Sequence, residues 1–207
     1  QTNIFGFIED GKLDPRNILK KLIKYDSYSA ISIANDVLKK GGIIAYPTDT
    51  LYGLGCNAKN DSAIKNLNKI KNRSGPMSVI APDKKTAISW MELKNNEKNI
   101  VKNKLNNGNT VIVPVKKHIC SSLITGDNNS LGIRIPENSF CKKLTNLFPG
   151  PITSTSVNKT GEKPLTNAKD IFTEFSKEID LIIDSGVING TGSKILLYNR
   201  GSWKRLR

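Results

Sequence analysis

Short apolar runs rich in β-branched residues alternate with amphipathic helical patterns along most of the chain, and this alternation restricts the possible folds more than any other property of the sequence. For example, Gly41-Gly42 ends a helical pattern over residues 29–40, and a strand pattern follows at residues 43–46. Interleaved helices and strands are typical of an α/β domain with a mixed sheet. Further helices are predicted at residues 61–72, 84–93, 139–147 and 168–176, and further strands at residues 78–81, 109–115, 132–136, 152–156, 179–184 and 194–198.

The sequence predicts one domain with a short N-terminal extension. Residues 1–28 are polar and basic, with a short helix predicted at residues 16–23, and residues 29–207 contain no internal repeat and no flexible linker. A chain of 207 residues can bury a substantial core without disulfide bonds or a structural metal. We therefore predict an N-terminal extension over residues 1–28 and one α/β domain over residues 29–207.

The cysteines and the apolar runs bear on the compartment. Cys56, Cys120 and Cys141 are odd in number and form no CxxC pair, which is typical of a reducing environment. No apolar run approaches the ~20 residues that span a bilayer, and the N-terminus lacks a secretory pattern. These features predict a cytoplasmic protein without a membrane partner.

The charge is strongly positive. There are 32 Lys and Arg residues against 18 Asp and Glu residues, which gives a formal net charge of +14. Such a surplus fits polyanionic partners such as nucleotides, RNA or an acidic membrane surface, but it fits a solvated lysine-rich surface equally well. The single histidine, His118, argues against a histidine-rich metal site and against a Ser-His-Asp relay.

Two polar segments in the first half of the chain could contribute to a ligand-binding or catalytic site. Residues 46–55 leave a strand with several hydroxyls and two glycines, which suits either a ligand loop or a tight turn. Lys71 and Arg73 stand at the predicted end of a helix, where they could clamp a phosphate or complement the helix dipole. We expect both cations to be exposed, so that their replacement by alanine leaves the stability of the fold nearly unchanged.

Two further segments lie in the second half. Arg134 interrupts the apolar strand of residues 130–136, so it faces either solvent or a pocket, where a carboxylate ligand would explain it. Residues 149–161 run from a hydroxyl-rich strand into a glycine turn and offer many uncharged donors, as phosphate and sugar sites do.

Taken in this order, the segments resemble the YrdC-like family, the L-threonylcarbamoyladenylate synthases. The matching motifs are PTDT-x-YGLG at residues 47–55, K-x-R at 71–73, S-x-G-x-R-x-P at 130–136 and S-x-S-x-N-x-[ST]-G-x-x-P at 154–164. The segment 184–195 is similar to the family's DGG…ST-V/I ending, and the resemblance runs from about Ser29 to Leu206. It implies a twisted open sheet, mostly parallel or mixed, with helices and a basic concave cavity.

The resemblance also implies a reaction and its partners. Family members condense L-threonine, bicarbonate and ATP into threonylcarbamoyl-AMP and pyrophosphate, for modification of an adenosine beside the tRNA anticodon. We therefore expect an enzyme that uses ATP with Mg²⁺, has a possible contact with tRNA, and supplies a downstream tRNA threonylcarbamoyl-transferase complex. The alternative is a YrdC-like module that binds RNA or nucleotide without catalysis. A hydrogenase-maturation or carbamoyl-transfer module is a further alternative, although nothing in the sequence resembles the acylphosphatase and zinc-finger parts of those proteins.

The family's site residues transfer to matching positions. The resemblance implies no catalytic base and no metal ligand from the protein. It implies ATP contacts at Lys71, Arg73, Ser130, Ser156 and Ser193, threonine contacts at Thr50, Arg134 and Ser154, and a cavity wall that includes Thr48 and Asn158.

The sequence departs from the family pattern in five places. Residues 105–109 replace a WPGP-type turn, and the segment between Arg73 and Pro76 is shorter than in many members. Ile80 stands where some members have a histidine, Ser185 replaces the middle glycine of DGG, and Lys194 replaces a threonine. The longer members also carry a C-terminal second domain, whereas this chain is expected to be the short, single-domain form.

Overall fold

A ten-stranded sheet organises the structure, a computed structural model that describes residues 21–106 and 108–207. Along the sheet the strands follow the order β1-β8-β2-β3-β7-β4-β6-β5-β9-β10. In chain order they are β1 (Leu22–Lys24), β2 (Ile44–Pro47), β3 (Tyr52–Gly55), β4 (Ser78–Ile80), β5 (Thr110–Pro114), β6 (Ser130–Arg134), β7 (Ile152–Ser156), β8 (Leu181–Asp184), β9 (Ile195–Asn199) and β10 (Ser202–Arg205).

The sheet is mixed and open. Four of the strand pairs are parallel and five are antiparallel, and β1 and β10 form its two free edges. The α/β class with a mixed open sheet is therefore confirmed, and antiparallel pairs slightly outnumber parallel ones. The sheet contains three parallel groups, β1-β8-β2, β4-β6 and β5-β9. The antiparallel strands β3 and β7 join the first group to the second, and the antiparallel pair β5-β6 joins the second to the third.

Helices cover both faces of the sheet, which gives two apolar cores. One core lies beneath α1 and α5, where Ala30, Ala34 and Leu38 form a stripe at helical spacing. The other lies beneath the remaining helices and contains most of the buried apolar residues. The helices are α1 (Ala30–Lys39), α2 (Asp61–Lys71), α3 (Lys84–Trp90), α4 (Asn95–Lys102), α5 (Ser139–Leu147) and α6 (Ala168–Phe175).

Polar residues in the sequence fix several helix ends. Asn60, Asp83, Asn138 and Asn167 precede α2, α3, α5 and α6, and each side chain accepts a hydrogen bond from a backbone N–H of the first helical turn. These caps explain why the predicted starts of the four helices agree with the structure to within one residue.

Four elements differ from the sequence-based prediction. The helix predicted at residues 16–23 is wrong at its end, because Leu22 and Ile23 lie in β1, which pairs in parallel with β8; residues 1–20 lie outside those described. Strand β3, helix α4 and strand β10 were not predicted at all. Strand β3 has the sequence Tyr-Gly-Leu-Gly and is fully buried. Because glycine is uncommon in strands, its two glycines did not indicate a strand.

The three cysteines are free thiols, and Cys56 and Cys141 are buried. Burial raises the pKa of Cys56 to about 11 and also raises the pKa of Cys141, so both remain protonated at neutral pH. In the part of the chain that the structure describes, no helix combines the length and apolar character needed to cross a bilayer.

Candidate functional site

A polar cavity of about 240 Å³ lies on the sheet face that carries Ile152, Ser154 and Ser156 of β7. Alternate residues of a strand face the same side. Helices α1 and α5 cover the end of this face near Ile152 but leave the serines uncovered. The lining is rich in hydroxyl groups and arginines, and none of its described residues carries a carboxylate. Its polar side chains belong to Thr48, Thr50, Tyr52, Arg73, Ser78, Thr110, Arg134, Ser154, Thr155, Ser156, Ser193 and Arg207.

The turn between β2 and β3 forms one wall of the cavity. The Thr48 hydroxyl accepts hydrogen bonds from the backbone N–H groups of Thr50 (3.1 Å) and Leu51 (3.2 Å), and it donates to the carbonyl of Leu51 (2.7 Å). A threonine side chain that bonds to the backbone in this way stabilises a tight turn. Thr48 thus holds Thr50 in place at the cavity wall.

Arg134 at the end of β6 joins this turn through a largely buried ion pair. Its guanidinium donates from Nη2 to Asp49 Oδ1 (2.6 Å) and from Nη1 to Thr50 Oγ1 (2.9 Å), and only 7% of its side chain is exposed. Among the described residues none accepts a hydrogen bond from its buried Nε. Arg134 also belongs to the lining of the cavity, so it faces the pocket rather than solvent.

Gly108 closes over this ion pair. A Cβ atom at this position would lie 2.7 Å from Asp49 Oδ2 and 3.3 Å from Arg134 Nη2, and the residue has a positive φ of 66°. Both facts favour glycine. The loop that departs from the family's WPGP-type turn thus supplies the close backbone approach that seals the Asp49–Arg134 pair.

Lys71 lies behind the cavity, which corrects the expectation that it is exposed. Its residue exposure is 3%, and its ammonium group donates to the carbonyl of Ser156 (2.6 Å) and to Asn158 Oδ1 (2.9 Å). The Ser156 hydroxyl donates to the same Asn158 oxygen (2.6 Å). Burial, and then the charge of Arg73, lower the pKa of Lys71 to about 8. Its removal would leave two buried acceptors without this donor. We therefore expect the Lys71→Ala variant to be less stable than the parent protein.

The end of α2 separates the two cations of the K-x-R motif. Asn72 adopts the left-handed conformation (φ 50°, ψ 43°) just after the helix, and Arg73 N–H donates back to the carbonyl of Asn68. This termination is common because it satisfies the last helical carbonyls. It reverses the chain within one residue, so Lys71 is buried while Arg73 is exposed and lines the cavity.

Two later segments complete the cavity. The Ser193 hydroxyl shares a hydrogen bond with that of Thr110 (2.8 Å), and Arg207 donates from Nε to the carbonyl of Ser193 (3.0 Å). Backbone hydrogen bonds between Ile195 and residues 206–207 extend the β9–β10 pairing to the last residue, which brings Arg207 into the site.

Seven of the ten predicted site residues line the cavity together. The other three do not: Lys71 and Asn158 support Ser156 from behind, and Ser130 stands at the start of β6, outside the lining. Of the departures from the family pattern, Ile80 is fully buried in the core beneath α1 and α5, while Ser185 N–H donates to the hydroxyl of Tyr52.

Four residues at the site were not predicted as candidates from the sequence. Asp49 and Tyr52 lie within the motif of residues 47–55, and a carboxylate among hydroxyls beside a strand end was a usable signal for Asp49. For Thr110 and Arg207 the sequence offers no such signal, because their places depend on long-range strand pairing.

Tyr52 anchors the segment that carries Ser193. Its hydroxyl donates to the carbonyl of Gly186 (2.8 Å) and accepts from Ser185 N–H (2.9 Å). The Tyr52→Phe variant removes both bonds, and a typical hydrogen bond contributes about 1 kcal/mol. We expect amide hydrogen exchange at Ser185 and Gly186 to accelerate about fivefold or more, measured by NMR, with strands β5 and β6 as the internal control. Unchanged exchange at both amides would show that Tyr52 does not anchor this segment.

Comparison with known proteins agrees with the fold and the motifs. The Sua5/YciO/YrdC family model, described as telomere recombination, matches residues 36–207. Two structures of P. abyssi Sua5, a variant and a complex with L-threonine, are each 25% identical to this chain, with TM-scores of 0.82 and 0.80. Each match covers 90% of this chain, but only 59% and 56% of the two Sua5 chains.

E. coli YciO is 22% identical with a TM-score of 0.79, and the match covers 90% of this chain and 92% of YciO. HypF, solved in a phosphate- and nucleotide-bound form, is 22% identical with a TM-score of 0.73, covering 86% of this chain and 28% of HypF. The last two likenesses concern the fold alone.

Proposed function

The chain belongs to the Sua5/YciO/YrdC family, and on this premise we propose that it is an L-threonylcarbamoyladenylate synthase. The observation that carries the proposal is the meeting of Arg134, Thr50 and the β7 serines with Arg73 and Arg207 in one cavity whose lining includes no Asp or Glu side chain. Such a cavity suits two substrates that carry anionic groups, the carboxylate of an amino acid and the phosphates of a nucleotide. The L-threonine complex of the related Sua5 supports the amino acid.

The proposed reaction has two steps. First, the threonine amine attacks bicarbonate; an N–C bond forms, a C–O bond breaks, and the amine proton leaves with the hydroxide as water. Second, an oxygen of the resulting carbamate attacks the α-phosphorus of ATP, and the bond from that phosphorus to the bridging oxygen of the β-phosphate breaks. The products are threonylcarbamoyl-AMP and pyrophosphate. Catalysis rests on positioning and charge stabilisation, because no protein nucleophile is required.

The structure suggests a division of roles among the site residues. Arg134 and Thr50 would hold the threonine carboxylate, with Ser154 beside them on β7. Arg73 and Arg207, which both line the cavity, would contact the phosphates. The nucleotide contacts proposed for Ser156, Ser193 and Ser130 remain part of this hypothesis. Lys71 and Asn158 act as positioning residues, because their hydrogen bonds fix Ser156.

Magnesium would arrive with the nucleotide. The described residues contain no cluster of three or more His, Cys, Asp or Glu side chains suited to a metal, and the cavity lining has no carboxylate. The donor set therefore fits an ion held by ATP phosphates rather than by the protein. Contact with tRNA and delivery of the adenylate to a tRNA threonylcarbamoyl-transferase complex complete the proposal.

One assay tests the reaction. The protein is incubated with ATP, Mg²⁺, ¹⁴C-bicarbonate and L-threonine, and pyrophosphate release and labelled adenylate are measured. We expect both products to depend on threonine, with D-threonine as the matched control. Saturable ATP binding by folded protein without threonine-dependent pyrophosphate would reject the synthase and support a non-catalytic nucleotide-binding module.

The lowered pKa of Lys71 gives a pH prediction. Near pH 8 about half of the Lys71 side chains are neutral, and the phosphates of bound ATP would stabilise the charged form and raise the pKa. We expect ATP binding at pH 8 to take up roughly half a proton and at pH 6.5 almost none, because Lys71 is then already protonated. Titration calorimetry in two buffers of different ionisation enthalpy measures this.

Lys69, exposed on the same helix, provides the control for that measurement. The Lys69→Met variant should keep the proton uptake at pH 8, whereas the Lys71→Met variant should lose it. Equal uptake at pH 8 and pH 6.5 in the parent protein would show that phosphate binding does not reach Lys71.

A further inference from the structure

A second polar groove, of about 560 Å³, lies against the wall of the cavity. It shares Thr50, Gly192 and Ser193 with the cavity, so the two spaces meet at these residues. Its other lining residues come from the loop that follows α4, from the residues around the start of β9, and from Arg205 of β10. The groove therefore reaches Thr50 along residues other than Arg73, Ser156 and Arg207, none of which lines it.

The groove is basic. Lys104, Lys194 and Arg205 line it, and no acidic side chain does so among its described residues. All three cations are exposed, and none takes part in the two ion pairs found within residues 21–106 and 108–207. A depression with charges of one sign raises the local concentration of small counter-ions.

We propose that this groove is the entry route for bicarbonate, which would reach the amine of threonine past Thr50 and Ser193, where the groove meets the cavity. Lys194 departs from the family's threonine at this position, and the substitution adds a cation to the groove. The cavity itself is at the small end of ligand sites, and ATP and threonine must both bind there. A separate route lets the third substrate arrive while those two are bound.

The inference rests on the proposed function, because only that reaction consumes bicarbonate. Two arms of the experiment separate their failures. One arm measures bicarbonate binding and needs no activity; the other measures the kinetics. Both compare the groove variant K104Q/K194Q/R205Q with the control variant K85Q/K143Q/K169Q, which removes three exposed lysines elsewhere and so has the same net charge.

In the binding arm, sodium bicarbonate is titrated into ¹⁵N-labelled protein at pH 8 and constant ionic strength. We expect saturable shifts of the Ser193 and Lys194 amides in the parent and the control variant. In the groove variant, binding should weaken about tenfold or more, because three charged contacts are lost. Non-saturable shifts in the parent, or equal affinity in the two variants, would overturn the proposal whether or not the protein is a synthase.

In the kinetic arm, the groove variant should show a KM for bicarbonate raised about tenfold, with the KM values for ATP and threonine changed less than about twofold. A parallel rise of all three KM values would contradict a dedicated route. An inactive parent protein with an intact, groove-dependent bicarbonate site would reject the synthase reaction and retain the site.

Discussion

Replacement of Arg134 by glutamine is expected to lower the free energy of unfolding by about 3 kcal/mol and to weaken threonine binding by about 100-fold or more. The stability effect arises because Asp49, whose side chain is only 20% exposed, would keep its charge without a partner. The binding effect arises because truncation of a buried charged contact to a ligand carboxylate costs about 2–5 kcal/mol. Urea unfolding measures the first quantity, and calorimetric titration with threonine measures the second.

The Arg134→Lys variant separates the two effects. Lysine keeps a positive charge beside Asp49 but lacks the planar fork that contacts Asp49 and Thr50 together. We expect this variant to recover most of the lost stability while its threonine affinity stays low. ATP affinity should change much less than threonine affinity in both variants. Equal losses for the two ligands would contradict the assignment of Arg134 to the amino acid.

Replacement of Gly190 by alanine is expected to displace Thr50, which lines both the cavity and the groove. A Cβ atom at Gly190 would lie 2.7 Å from the carbonyl carbon of Thr50 and 3.0 Å from its Cα, and it would overlap the carbonyl oxygen. These are backbone atoms, so no side-chain rotation can relieve the clash. Overpacking of this kind costs about 1–3 kcal/mol, and a displacement of about 1 Å at an active site can reduce the rate about 100-fold.

Gly150 provides the matched control for this substitution. A Cβ atom there would make one ordinary contact, at 3.8 Å from Phe148 Cε1, and its φ is not positive. Thermal unfolding and threonine-dependent pyrophosphate release should therefore change little in Gly150→Ala and strongly in Gly190→Ala. Similar behaviour of the two variants would show that Gly190 does not fix the position of Thr50.

The parts of the site that were predictable are those that local sequence determines. The turn of residues 47–51 is set by the Thr48 hydroxyl, which bonds to its own neighbours. The end of α2 is set by Asn72, which satisfies carbonyls within one helical turn. The starts of α2, α3, α5 and α6 are set by capping side chains that act within three residues. Such features could be predicted without knowledge of the sheet.

The order of the strands could not be predicted in the same way. Strand β7 lies between β3 and β4, and its neighbours are about a hundred and about seventy residues distant in the sequence. This pairing places the β7 serines beside the Thr50 turn. The β9–β10 pairing likewise brings Arg207 to Ser193.

Three features can be recognised in the sequence alone: the alternation of helices and strands, the helix caps and the ordered motifs. They were sufficient to predict the α/β class and seven residues of the cavity. Only the tertiary structure decided which cations face a ligand. In the sequence, Lys71 and Arg73 are two similar cations one residue apart. The chain turns at Asn72, which adopts the left-handed conformation, so that Lys71 is buried and Arg73 is exposed. The physical reason is that burial, and the pKa that follows from it, depend on what the rest of the chain packs around a side chain.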